Sequence, residues 1–247
     1  MRHIPNTLTL CNLLLGLVAL GMAVQGHALT VWYLILGASL CDLADGWMAR
    51  RINVPSSIGK DLDSLADLVT FGAAPALTLA FYLKELSSQL SDFPWLSEIN
   101  ISSGGTVSLP YLWGLWPALG SALRLARFNN DPRQSEWFRG LPTPASGLFL
   151  LAFILWLKEV VLPVEWILAA LAVVALALPI LMLSAWPMLS LKVALKPPVW
   201  ILVGIILVGS GLFSAWLINF GACIPIMVMY LTVSLLVKKH FSHEVHR

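Results

Sequence analysis

Asp42-Leu43-Ala44-Asp45-Gly46-Trp47-Met48-Ala49-Arg50, followed after a short link by Gly59-Lys60-Asp61-Leu62-Asp63-Ser64-Leu65-Ala66-Asp67, is the stretch on which the fold turns. Those 26 positions hold five of the chain's 13 acidic residues, and both halves are flanked by long apolar runs. An aspartate in a membrane helix costs up to about 2.5–3.5 kcal/mol at the bilayer centre and less toward the interface, so a cluster of them marks a functional site with a compensating cation. At about 100° per residue, Asp42, Asp45, Gly46, Ala49 and Arg50 fall on one helical face. Gly59, Asp63 and Asp67, four residues apart, form a second stripe, while Asp61 points away from it. The link Asn53-Val54-Pro55-Ser56-Ser57 makes the two helices antiparallel neighbours, so Asp42, Asp45, Asp63 and Asp67 converge beside an open wall of Gly46, Ala49 and Gly59.

Outward from this stretch the chain is apolar: 247 residues, 58% hydrophobic, only 11% charged, mean hydropathy +0.83. A soluble domain carries roughly a quarter charged residues. Hydropathy and breakers predict an all-α polytopic bundle of eight spans, at 5–24, 29–50, 60–83, 109–128, 141–161, 164–183, 199–216 and 219–237. The first span is expected to be a retained helix, since its apolar run continues past Val18 with no small-residue cleavage site followed by a polar mature region. Placing the N-terminus in the cytoplasm puts 13 of the 15 Lys and Arg on that side, with only Lys84 and Lys158 outside. The predicted divisions are a six-helix core over 1–183, a cytoplasmic connection over 184–198, an additional helix pair over 199–237 and a tail over 238–247. The 84–108 stretch is expected to be a solvated outer loop. A net charge of +2 excludes a nucleic-acid binder. Cys11, Cys41 and Cys223 lack metal or redox spacing, and Lys238, Lys239, His240, His243 and His246 suit an anionic-lipid contact.

Convergent carboxylates with room for a ligand suit hard dications such as Mg²⁺ or Mn²⁺, which bridge to phosphate oxygens. Two such ions stabilise the entering and leaving oxygens of a displacement at phosphorus. Matched stripes with small residues between them argue against aspartates that merely solvate helix ends. Placement at one end of the spans argues against an ion-translocation path, which lies near the midplane.

Written out, residues 42–67 run Asp-x2-Asp-Gly-x2-Ala-Arg-x8-Gly-x3-Asp-x3-Asp, which resembles at every specified position the signature of the CDP-alcohol phosphatidyltransferase family. The resemblance implies a six-helix membrane core that dimerises. It implies that Asp42, Asp45 and Asp63 bind metal ions, that Asp67 touches the second ion and acts as general base, that Gly46, Ala49 and Gly59 admit the cytidine nucleotide, and that Arg50 meets phosphate. Four further segments, 4–12, 67–76, 124–129 and 140–147, look like the membrane phosphatidylserine synthase branch, so the resemblance covers about the first 150 residues. On that basis Pro5-Asn6 and Asn12 are candidates for seating the nucleotide, the alternative being that they simply begin the first helix.

The expected activity is transfer of the phosphatidyl group of CDP-diacylglycerol to L-serine, in a homodimer embedded among membrane lipids of the inner or cytoplasmic membrane. Arg124 and Arg127, with Asn129 next to them, sit at the level of the carboxylates. Arginine binds carboxylate or phosphate through paired bonds. One of the two is expected to hold the serine carboxylate and the other a lipid phosphate; a plain positive-inside anchor is the alternative. Other acceptors, glycerol 3-phosphate or inositol phosphate, and a non-enzymatic cation transporter stand as alternative functions.

Overall fold

The computed structural model describes residues 4–52, 57–90, 98–101, 105–130, 138–188 and 220–232. Helix α1 (Ile4–Val24) turns back through Gly26 into α2 (Ala28–Ile52). Gly26, at φ +78°, takes the left-handed conformation that closes a helix C-terminus, and its N–H donates to Ala23 O at 3.0 Å. Next comes one continuous helical rod: α3 (Ser57–Asp67), a π-helical segment (Leu68–Ala73) and α4 (Ala74–Ser87). Then follow α5 (Leu109–Gly114), α6 (Trp116–Asn130), α7 (Thr143–Glu159), α8 (Val164–Leu183) and, after a 3-10 turn (Phe220–Ala222), α9 (Cys223–Thr232). Among the described residues, two minor antiparallel ribbons accompany the helices. Strand β1 (Glu98–Ile101) pairs with β2 (Gly105–Ser108), and β3 (Phe138–Arg139) with β4 (Pro187–Met188).

Asn6–Val24, Ala28–Gly46, Ile58–Ser87 and Val164–Leu183 are long and apolar enough to cross a membrane. Large apolar side chains on their outer faces, such as Leu14, Leu17, Leu40, Val173 and Ile180, are exposed. Hydrocarbon rather than water suits such faces. The protein is an all-α integral membrane bundle. The stretch predicted as a fourth span is two helices broken at Leu115, because Pro117 has no N–H to continue a helix from α5. The outer loop carries the β1–β2 hairpin. The 199–216 span, the 53–56 link, residues 189–198 of the connection and the 238–247 tail lie outside the described residues.

The π-helical segment has a local cause and a tertiary counterpart. Ala74 N–H donates to Val69 O, five residues back, and Pro75 follows without a donor. A proline inside a helix frees a carbonyl one turn earlier, here that of Phe71, and a wider π turn absorbs the clash. A Cβ built on Gly147 of α7 would run into that same Phe71 carbonyl, one on Gly16 of α1 into Thr70, and one on Gly72 into Ser121 of α6. Three helices thus close onto the irregular backbone directly below Asp67, which fixes its position relative to α1, α6 and α7.

The main apolar core lies away from the carboxylates, where Leu79 and Leu83 of α4 meet Leu150 and Ile154 of α7 and Leu171 and Leu178 of α8. A smaller cluster joins Ala19, Val31, Ile35, Phe71 and Leu151. Helix α1 packs along both α2 and the α3–α4 rod, more extensively than those two pack on each other. The carboxylate-bearing helices meet at Asp42, Asp63 and Asp67, and α1, packed along both, keys them together.

Candidate active site

Asp42 leaves α2, and Asp63 and Asp67 leave successive turns of α3, at one end of the bundle. One carboxylate oxygen from each lies within 4.8 Å of the other two. All three residues are half-buried, and Asp63 Oδ1 is buried with no hydrogen-bond partner. An octahedral ion with bonds of about 2.1 Å sets adjacent oxygens about 3.0 Å and opposite ones about 4.2 Å apart. Three oxygens within 4.8 Å of one another lie close to that range, and an all-carboxylate donor set with an unmet lone pair is what a hard dication requires. The residues fit the metal that the sequence pattern implies.

Asp45 is placed differently. It is 6% exposed, accepts a hydrogen bond at Oδ2 from Thr9 Oγ1 at 2.6 Å, and does not belong to the converging group of three. Its charge nevertheless acts on Asp42, Asp63 and Asp67. Gly46 and Gly59 are half-buried on the same two helices. The side chains of Ala49 and Arg50 lie outside the description. Asn6 sits half-buried in the first turn of α1, and Asp61 is exposed.

Behind the cluster is a polar layer that hydropathy does not reveal. Asn12 of α1, fully buried, donates from Nδ2 to Asp67 Oδ1 at 3.4 Å, and Thr70 Oγ1 donates to Asn12 O at 3.2 Å. Arg124 of α6 is 8% exposed and donates from Nη1 to Thr143 Oγ1 at 2.8 Å, with Asp67 close enough to act on its charge. Arg127 diverges from it: exposed, it donates from Nη1 to Leu183 O at 3.3 Å, at the end of α8. Asn129 donates from Nδ2 to Ser64 Oγ at 2.8 Å, and Lys60 Nζ donates to Asn129 O at 2.8 Å, tying α6 to α3.

Thr9, Ser64, Thr70 and Thr143 were not singled out from the sequence. For Thr9 a signal existed: with Asn12 and Gly16 it forms a small or polar stripe at helical spacing on an otherwise apolar α1.

A dense negative centre with buried polar groups behind it, at one end of apolar helices, can hold dications and take up a proton. Comparison with known proteins gives the family. The family model described as CDP-alcohol phosphatidyltransferase matches residues 2–196. A CDP-diacylglycerol–serine O-phosphatidyltransferase of Bacillus subtilis is 32% identical over 150 residues, covering 61% of this chain and 74% of that protein. A protein of the same name from Mycobacterium tuberculosis is 32% identical over 161 residues, covering 62% of this chain and 49% of that one. An archaetidylserine synthase of Methanothermobacter thermautotrophicus is 32% identical over 155 residues, covering 62% and 58%. The matched stretch thus spans about half the length of the mycobacterial relative.

Proposed function

The chain belongs to the CDP-alcohol phosphatidyltransferase family, and on that premise we propose that it transfers the phosphatidyl group of CDP-diacylglycerol to the hydroxyl of L-serine, giving phosphatidylserine and CMP. The observation that carries this reading is the convergence of Asp42, Asp63 and Asp67 within 4.8 Å, with Asn12 holding Asp67. The names of the relatives support serine as the acceptor. Divalent cations, Mg²⁺ or Mn²⁺ as a pair held by Asp42, Asp63 and Asp67 with Asp45 beside them, would supply positive charge against the diphosphate as it is displaced.

The chain's own residues do the rest. Asp67 takes the proton of the acceptor hydroxyl as its oxygen bonds to phosphorus, the bond from phosphorus to the CMP oxygen breaks, and CMP departs with the electron pair. Gly46, Ala49 and Gly59 leave room for the nucleotide, Arg50 and Asn6 bind it, Arg124 faces the serine carboxylate, and Arg127 and Asn129 lie toward the lipid phosphate. The acyl chains stay in the bilayer, because the site sits at the end of apolar helices.

The site and both termini face the cytoplasm in this reading, across the inner or cytoplasmic membrane, and the protein is a homodimer. Lys60, Arg124 and Arg127 lie at the carboxylate end, whereas Lys84 and Lys158 close α4 and α7, with Lys158 Nζ 4.6 Å from the Tyr82 ring centre. That separation supports the orientation. Residues 1–183 form the catalytic core and 199–237 an added helix pair. The deciding experiment measures CMP release from CDP-diacylglycerol by purified protein with serine, glycerol 3-phosphate or inositol phosphate in turn. Serine should stimulate release; stimulation by another alcohol instead reassigns the acceptor, and no release under any condition points to a transporter.

A further inference from the structure

Among the described residues four buried side-chain atoms have no partner, Asp63 Oδ1, Asn129 Oδ1, Asn12 Oδ1 and Arg124 Nε; the last two come from α1 and α6, which both pack on the π-helical segment that follows Asp67. The Asn12 and Arg124 side chains are 0% and 8% exposed, so water does not reach them freely. Leaving such groups unpaired inside a membrane bundle is costly, and a site that does so is built to be completed by something else. The two atoms are opposite in kind, since Asn12 Oδ1 can only accept and Arg124 Nε can only donate.

Asn12 Nδ2 donates to Asp67 Oδ1 at 3.4 Å, and the amide oxygen at the other end of the group is turned away from that carboxylate and is left without a partner. Thr70 holds the Asn12 backbone, so the side chain pivots on a fixed base. Arg124 is restrained in the same way: Thr143 takes Nη1 and leaves Nε over.

From these orphaned atoms we infer that the acceptor subsite recognises a zwitterionic amino alcohol at three points, with Asn12 Oδ1 accepting from its ammonium group, Arg124 Nε donating to its carboxylate and Asp67 receiving its hydroxyl proton. The inference rests on the proposed serine-dependent transfer and adds the residue that reads the ammonium. Serine carries all three groups on two adjacent carbons, which matches an acceptor, a donor and a base clustered around one carboxylate. Asn12 is then a specificity residue as well as a positioning residue. A phosphorylated acceptor without nitrogen would leave Asn12 Oδ1 unpaired, and a buried unpaired group is an effective means of rejection.

The test uses the full-length protein in detergent and two competitors of serine: ethanolamine, which lacks the carboxylate, and 3-hydroxypropionate, which lacks the ammonium. Asn12→Ala should raise the KM for serine and the Ki for ethanolamine by about tenfold or more, while the Ki for 3-hydroxypropionate moves by much less. Arg124→Gln should show the reverse, weakening serine and 3-hydroxypropionate and sparing ethanolamine. If Asn12→Ala weakens serine and 3-hydroxypropionate equally, Asn12 only positions Asp67 and the ammonium assignment is overturned. If wild-type protein transfers to an alcohol other than serine, the acceptor reading and this inference fall together, so the two failures are distinguishable.

Discussion

Thr9 Oγ1 donates to Asp45 Oδ2 at 2.6 Å, joining α1 to α2 across 36 residues of sequence at a point where both side chains are almost fully buried. The bond answers the question of how a fourth carboxylate is tolerated beside three others: it has a dedicated donor. It also draws Asp45 toward α1 and out of the group formed by Asp42, Asp63 and Asp67.

Removing that donor should therefore be felt at the site. Thr9→Val keeps the shape and leaves a buried carboxylate oxygen short of a partner, a loss of about 1–3 kcal/mol. We expect a lower Tm in detergent and CMP release reduced about tenfold or more, with Thr9→Ser close to wild type. Equal Tm and rate in Thr9→Val would show the bond to be incidental.

Among the acids, position decides consequence. Asp67→Asn should cut CMP release by about 10²-fold or more, the usual contribution of a general base. Asp61→Asn should leave it within about twofold, because Asp61 is exposed and apart from the converging group. Rates measured at saturating serine check both.

Metal binding can be read without turnover. Mn²⁺ added to the purified protein should bind in a manner visible by electron paramagnetic resonance, and Asp63→Asn or Asp42→Asn should weaken that binding by about tenfold or more, the loss of one charged ligand. Chelation should abolish CMP release, and added Mg²⁺ or Mn²⁺ should restore it. Undiminished Mn²⁺ affinity in both variants would separate the carboxylates from the metal.

The two arginines should part company. Arg124 is buried in a bond with Thr143 beside Asp67, so Arg124→Lys, which keeps charge but not the planar fork, should raise the serine KM by about tenfold. Arg127 is exposed and bonded to a helix-end carbonyl, so Arg127→Lys should leave the serine KM within about twofold. A larger effect at Arg127 than at Arg124 would reverse the assignment of the carboxylate subsite.

Packing around the π-helical segment predicts a stability contrast between glycines. Gly147→Ala drives a methyl group into the Phe71 carbonyl and should cost about 1–3 kcal/mol, seen as a lower Tm. Gly21→Ala has open space around it and should be neutral or slightly stabilising, since alanine favours the helix by about 1 kcal/mol. Similar Tm values for the two would mean that α7 does not close on the irregular turn.

Much of the arrangement was legible from local pattern. Apolar runs long enough to span a bilayer placed α1, α2, the α3–α4 rod and α8, because a backbone in hydrocarbon has to satisfy itself within its own helix. The four-residue spacing put Asp63 and Asp67 on one face of α3, and the separation of Asp61 from them followed from the same arithmetic. Breaks were harder to place: Pro117 separates α5 from α6 at Leu115, and Pro75 produces a π turn inside the α3–α4 rod that its apolar length does not reveal.

Tertiary structure alone decided which groups touch. Periodicity assigns a residue to a face but not the distance or rotation between two helices, and those depend on how closely backbones approach at Gly16, Gly72 and Gly147. Hence Thr9 reaches Asp45, Asn12 reaches Asp67 across 55 residues, and Arg124 turns inward while Arg127, three positions on, turns out. The sequence by itself determined a membrane bundle with carboxylates gathered at one end, because helical spacing and hydrocarbon thickness are local constraints; the partners of each carboxylate are long-range contacts, and only the packed helices could settle them.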